Sequence, residues 1–218
     1  MNLLVSGSCH LQKAPEASVE TPLPPIHKMV VLDFRVALSP GEKPEVVRDP
    51  LSGAVYAAGP VPHYVARMMT DVLFERLMNE KRCELISPGQ ARGAISSIIH
   101  SDEKIGMDPV PMLQEVGKVF GADAVLAGTL YRWREREGTD YAVNRPASLA
   151  FDLHLVSVAD GAVLWRGRFD KTQQALTENV LDVQTFIRGG GRWLTAEELA
   201  ILGLKELLAK MPVEQSQK

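Results

Sequence analysis

The apolar and polar positions of residues 120–169 read strand, polar loop, strand, turn, strand. Between Asp123 and Trp133 they alternate. Val125, Ala127, Thr129, Tyr131 and Trp133 fall on one face; Ala124, Leu126, Gly128 and Leu130 fall on the other. The first half is apolar on both faces, the pattern of a strand covered from both sides. From Arg132 to Glu137 the segment turns charged, as a strand end emerging into water does. Residues 138–146, from Gly138 to Pro146, carry loop signals. Leu149, Phe151, Leu153 and Leu155 then alternate with Ala150, Asp152, His154 and Val156. This predicts a half-buried strand with one wetter face. Asp160-Gly161 marks a tight hairpin, because glycine accepts positive φ. Val163, Trp165, Gly167 and Phe169 form the next inward row, with Arg166, Arg168 and Asp170 outside. The prediction is an antiparallel meander.

Upstream, the apolar run from Met29 to Phe34, between Lys28 and Arg35, predicts a buried first strand. Residues 36–60 are broken by Pro40, Gly41, Pro44, Pro50, Gly53, Gly59 and Pro60. They predict a long excursion with a short hairpin through 54–57; loops of that length often carry function. Residues 61–79 predict a helix with Val65, Met68, Met69, Val72, Leu73 and Leu77 as its core stripe. A second strand follows at 82–86. Ser87, Pro88 and Gln90 start a helix that reaches about residue 99. After a polar loop at 101–107, Asp108-Pro109 opens a third helix with Met112, Leu113, Val116, Val119 and Phe120 inward and Gly121 as its cap. Beyond the meander lie a short helix over 178–187, a break at Gly189-Gly190-Gly191 and a last helix over 196–211. Thr195 and Glu198 form its capping box, and Ala200, Ile201, Leu204, Leu207, Leu208 and Met211 its buried side. The fold class expected is α/β (α+β): a single mixed, largely antiparallel central sheet flanked by helices.

The chain of 218 residues holds one domain with tails. The division expected is a lipid-attachment and tether segment at 1–27, an α/β domain at 28–172, and a helical extension at 173–218 packed on the same domain. A net charge of −3 supplies no general drive toward nucleic acid or acidic lipid. Residues 10–27, rich in Pro, Glu, Ser and Thr, read as a disordered tether. Leu3-Leu4-Val5-Ser6-Gly7-Ser8-Cys9 has the form of the end of a bacterial lipoprotein signal, with Cys9 as the candidate acylated residue. The apolar stretch is shorter than the roughly 7–15 residues such a signal uses, and Ser6 stands where an aliphatic residue is usual. A start upstream of Met1 accounts for this; a cytosolic N-terminus with a chance cysteine is the other reading.

Candidate chemistry is sparse. His10, His27, His63, His100 and His154 are far apart, and none has metal-ligand spacing. Cys83 has no adjacent histidine or basic cluster to activate a thiolate. The triple glycine is followed by Arg192-Trp193-Leu194, not by the Lys-Ser/Thr of a phosphate loop. Glu197 and Glu198 suit a helix N-terminus better than acid–base work. Residues 132–136 mix arginine with tryptophan, but Glu135 and Glu137 interrupt the charge, so they read as a solvated strand end. No catalytic residue, cofactor or metal is assigned.

Several stretches resemble a known family: Val30-Val31-Leu32-Asp33-Phe34, Cys83-Glu84-Leu85-Ile86, the run from Val116 through Gly121-Ala122-Asp123-Ala124-Val125 to Thr129, and Val156 through Asp160-Gly161 to Leu164-Trp165. Their order over residues 28–172 is similar to the periplasmic domain shared by CsgG, LpoB and the amino-terminal domain of TolB. The segment Trp193-Leu194-Thr195-Ala196-Glu197-Glu198-Leu199 looks like that of bacterial lipoproteins with the same core. The resemblance implies a non-enzymatic exported domain, anchored to the membrane through a lipid on Cys9. It would face the periplasm, most simply from the outer membrane, and bind envelope proteins in assembly or maintenance. It leaves room for a homo-oligomer and implies no nucleic acid and no cofactor. Two alternatives stand beside it. One is a subunit of a curli-type export assembly, although 36–60 and 134–147 lack the ~9–11-residue alternating strands of a membrane barrel. The other is an enzyme whose site is assembled from dispersed residues.

Overall fold

The computed structural model describes residues 24–101, 109–139, 143–173 and 193–213. Among them the elements run β1 (Lys28–Val31), β2 (Arg35–Val36), β3 (Glu45–Arg48), β4 (Val55–Ala58), α1 (His63–Glu80), β5 (Glu84–Ile86), α2 (Pro88–Ser101), α3 (Pro109–Val119), β6 (Ala124–Arg134), β7 (Glu137–Gly138), β8 (Val143–Arg145), β9 (Ser148–Ser157), β10 (Val163–Thr172) and α4 (Ala196–Leu208).

The central sheet has the order β10-β9-β6-β1-β5, with β2 also alongside β6. β1 is parallel to β5 and β6, so helical crossovers join them. β9 is antiparallel to β6 and to β10. The mixed sheet and the meander are those the alternation predicts. Asp123 joins the two halves: its Oδ2 accepts the backbone N–H of His27 at 2.8 Å and of Lys28 at 2.9 Å, which ties the start of β1 to β6. Gly161 takes φ 73° in the β9–β10 turn.

One face of the sheet is covered by α1 and α4. Val65, Met69, Leu73 and Leu77 of α1 and Leu199, Leu204 and Leu208 of α4 enclose Leu126, Leu149, Phe151, Leu153 and Leu155. The approach is close enough that a Cβ on Gly128 would lie 2.6 Å from the Phe34 ring. The other face is divided. Ala91 of α2 and Leu113 and Val116 of α3 pack on Val30, Val125 and Val156. The excursion folds back as the β3–β4 hairpin and places Tyr56 and Ala58 on Tyr131 and Ala150.

Several expectations are corrected. The alternation of β6 does not run through to Trp133. A register shift between Leu130 and Arg132 makes Tyr131 the extra residue of a β-bulge. Trp133 therefore joins Leu130 on the α1–α4 side, while Tyr131 stays on the hairpin side. β9 has no wetter face, because all ten of its residues are buried once the hairpin covers Asp152 and His154. Residues 132–136 are only partly solvated: Glu135 is exposed, but Trp133 is buried and Arg132, Arg134 and Arg136 are half-buried. Arg132 pairs with Asp170 at 2.5 Å, and Glu135 accepts from Trp133 Nε1 at 2.7 Å and from the Ala196 N–H that opens α4 at 3.3 Å. Within the predicted loop 138–146, β8 pairs with β7. Val119 is exposed, because the chain turns at Gly121 (φ 59°) and Ala122 takes the buried place. Val163 is also exposed, next to a register shift in β10. Ile201 is only partly buried, since the stripe of α4 runs through Ala196, Leu199, Ala200, Gly203, Leu204, Leu207 and Leu208. Residues 1–23 of the segment expected over 1–27, residues 102–107 of the loop expected over 101–107, the helix at 178–187 and the triple glycine lie outside the described residues, while Ile26, expected in the tether, is buried in the core.

Candidate functional site

Polar side chains from four segments converge where the hairpin meets the sheet. Asp152 and His154 are two apart on β9 and therefore share a face. The bulge in β6 directs Tyr131 to them, and β4 supplies Tyr56. Asp49 comes from the turn between β3 and β4. Its Oδ2 accepts the Ser52 N–H at 2.5 Å and the Ser52 hydroxyl at 2.6 Å, a side-chain-closed turn that Gly53 continues at φ 70°. Two arginines fasten the hairpin from outside. Arg132 donates to the Ala57 carbonyl at 2.7 Å, and Arg168 donates to the Val55 carbonyl at 3.1 Å while lying 4.4 Å from the Tyr56 ring centre.

The Tyr56 and Tyr131 rings stack at 3.8 Å and 6°. The Tyr131 hydroxyl is 2.9 Å from both Asp49 Oδ1 and Asp152 Oδ2, and the Tyr56 hydroxyl donates to Asp152 Oδ2 at 3.1 Å. A phenol has one proton, so Tyr131 serves both carboxyls only if one of them carries a proton of its own. Asp152 is that one. Burial, then the charge of Asp49, push it up to about 7, with the two tyrosine hydroxyls and the Thr129 amide pulling the other way. Burial also raises Asp49, but the Ser52 hydroxyl and amide, His154 and Tyr131 outweigh it and hold it below the usual carboxylate range. Burial lowers the pKa of His154 against the opposing pull of Asp49. Burial and the neighbouring carboxylates raise both tyrosines.

The imidazole lies between the carboxyls, with Nε2 3.4 Å from Asp49 Oδ2 and Nδ1 3.7 Å from Asp152 Oδ1. That Asp152 oxygen is buried and has no hydrogen-bond partner of normal geometry. Exposure is 1% for Asp49 and 2% for Asp152 and His154. The cluster combines acid, base and phenol, but the hairpin closes it to a dissolved substrate. What it does as it stands is fix a turn to a sheet.

The structure treats the residues singled out in the sequence differently. Cys9 lies outside the described residues. His27 and His63 are exposed and separate from the cluster, whereas His154 is buried in it, which corrects its assignment to a wetter face. Cys83 is a half-buried free thiol in a shallow cleft beside Met29, Leu77 and Met211. Burial, then Asp123, push its thiol up against the opposing effect of Arg82, the reverse of nucleophile activation. Asp49, Tyr56, Tyr131 and Asp152 carried no sequence assignment. The Asp-x-His pair on an otherwise apolar strand was the available signal; nothing local linked it to Asp49, 103 residues before Asp152.

No family model matches the chain, and no curated protein does. Among solved structures it is similar to the C-terminal domain of LpoB from Escherichia coli, with 15% identity over 67% of this chain and 83% of that chain and a TM-score of 0.40. It is also similar to lipoprotein GNA1162 from Neisseria meningitidis, with 13% identity, 75% and 96% covered and a TM-score of 0.41. A third is hypothetical protein CT253 from Chlamydia trachomatis, with 11% identity, 84% and 94% covered and a TM-score of 0.45.

Proposed function

We propose that this chain is an exported, lipid-anchored domain that acts by binding a protein partner in the bacterial envelope and not by catalysis. One observation carries the reading: the hairpin seals the acid–imidazole–phenol cluster beneath it while holding apolar side chains out in water. Val46 is 74% exposed and Val55 43% exposed. With Ala57 they form the outward row of the hairpin, opposite Tyr56 and Ala58. Turn closure by Asp49 and the two arginine straps keep that row rigid, which lowers the ordering cost of binding. The sequence stretches around Asp33, Asp123 and Asp160 support the envelope location, and Cys9 is the proposed lipid-bearing residue. The same resemblance supports a place in the periplasm, facing it from the outer membrane.

Two measurements in the native cell test this. Intact mass and fractionation should give a membrane-associated chain beginning at acylated Cys9; a soluble chain retaining Met1 would refute the anchor. A photo-crosslinking residue at position 46 should give one discrete heavier adduct in the envelope fraction, lost on Val55→Asp. No adduct at 46, or one unaffected by Val55→Asp, would refute the hairpin as the binding surface.

A further inference from the structure

Asp49 and Asp152 are two buried carboxyls without an arginine or lysine ion-pair partner among the described residues. Buried charge, here that of Asp49, is ordinarily paired or bound to metal, and a proton held on Asp152 is released when a cation takes its place. Each carboxyl is held from one side. Asp152 Oδ2 takes the hydroxyls of Tyr56 and Tyr131, and its buried Oδ1, turned toward the imidazole, takes nothing. Asp49 Oδ1 shares the Tyr131 hydroxyl with Asp152, and Oδ2, steadied by Ser52, faces Nε2 of His154 at 3.4 Å. One oxygen from each carboxyl and one imidazole nitrogen lie within 4.8 Å of one another.

We propose that Asp49, Asp152 and His154 bind a divalent first-row transition cation, with zinc as the representative ion, and that this ion locks the β3–β4 hairpin onto the sheet. Two carboxylate oxygens and an imidazole nitrogen suit such an ion. Calcium takes about six to eight oxygens, and copper(I) prefers sulfur. Tetrahedral bonds of roughly 2.0–2.2 Å place ligand atoms roughly 3.3–3.6 Å apart. The Asp49–His154 separation of 3.4 Å already falls there. The third donor, Asp152 Oδ1, lies 3.7 Å from Nδ1, so it joins the same ion once its carboxyl or the ring turns toward the Nε2 side. The tyrosine and Ser52 hydroxyls then act as the outer groups that orient ligating carboxylates. Three protein donors leave the fourth position to water. Because the donors are sealed, the ion enters during folding or when the hairpin opens. The site is independent of whether the hairpin's outer row binds a partner.

The test loads the site by refolding. The full chain is unfolded in urea and refolded with excess zinc or with EDTA, then desalted. Metal content and thermal midpoint are measured. The expected result is one zinc retained per chain and a midpoint roughly 5 °C or more above the EDTA sample. Asp152→Asn and His154→Gln should each retain at least about tenfold less zinc, while the surface control His63→Gln retains as much as the parent. Should the variants misfold, cobalt in the parent chain decides by its tetrahedral visible bands, which zinc should displace. A parent chain with the same midpoint in zinc and EDTA, or retaining no more zinc than His154→Gln, would overturn the site. So would folded variants with unreduced retention, or octahedral cobalt spectra.

Discussion

The two faces of β9 are built from alternate residues of one ten-residue strand, yet they are held in different ways. Leu149, Phe151, Leu153 and Leu155 meet α1 and α4 in a purely apolar layer. Ala150, Asp152 and His154 meet a hairpin that brings its own polar partners, Asp49 and Tyr56. Both faces are dry. Burial on the first follows from hydrophobicity, which is non-directional and proportional to area. Burial on the second depends on geometry: each polar atom needs a partner, and one, Asp152 Oδ1, has none. A polar row on a strand therefore marks where directional bonds are made, and does not by itself mark solvent.

Substitutions on the two faces should separate these mechanisms. Phe151→Ala removes a fully buried ring that meets Phe34 edge-on at 6.0 Å and Phe169 at 5.3 Å. It should cost about 3–5 kcal/mol in a urea titration, and a loss below 1 kcal/mol would mean the helical face is loosely packed. Gly128→Ala sets a methyl against the Phe34 ring and should cost about 1–3 kcal/mol through overpacking; a neutral result would place that ring elsewhere. Tyr131→Phe keeps the stacked ring and deletes one hydroxyl shared by two carboxyls, and should also cost about 1–3 kcal/mol. The loss should be specific to the hairpin, appearing as faster amide exchange at residues 45–58 with α1 and α4 unchanged. Val46→Ser, on the outward row, should leave stability within about 0.5 kcal/mol and abolish capture of the partner by a photo-crosslinking residue placed at the neighbouring position 57. A large loss of stability there would mean that Val46 is packed and not presented.

The helical face was legible in the sequence because its signals are local. The period of Val65, Met69, Leu73 and Leu77, the Thr195–Glu198 box seen in α4, and the alternation of leucines in β9 each lie within a few residues of the element they define. The hairpin face was not, for two reasons. The bulge at Tyr131 changes side-chain parity without any glycine or proline to announce it, so Trp133 fell on the wrong side. The partners of Asp152 and His154 come from residues 49–56, inside an excursion whose prolines and glycines look like solvent-exposed loop. Within that excursion a hairpin was expected through 54–57, but those residues lead into and form β4; the turn lies upstream, where Asp49 and Ser52 close it. Where the turn would dock was not legible.

The closed hairpin is tested most directly by the reactivity of single histidines toward diethylpyrocarbonate, read by peptide mass. His27 and His63 are exposed and serve as internal standards, whereas His154 is 2% exposed. His154 should stay unmodified while His27 and His63 react, and should become reactive in Tyr131→Phe well before the urea concentration that unfolds α1. Modification of His154 in the parent chain at the rate of His63 would contradict the sealed cluster, and with it the rigid hairpin on which the binding surface depends.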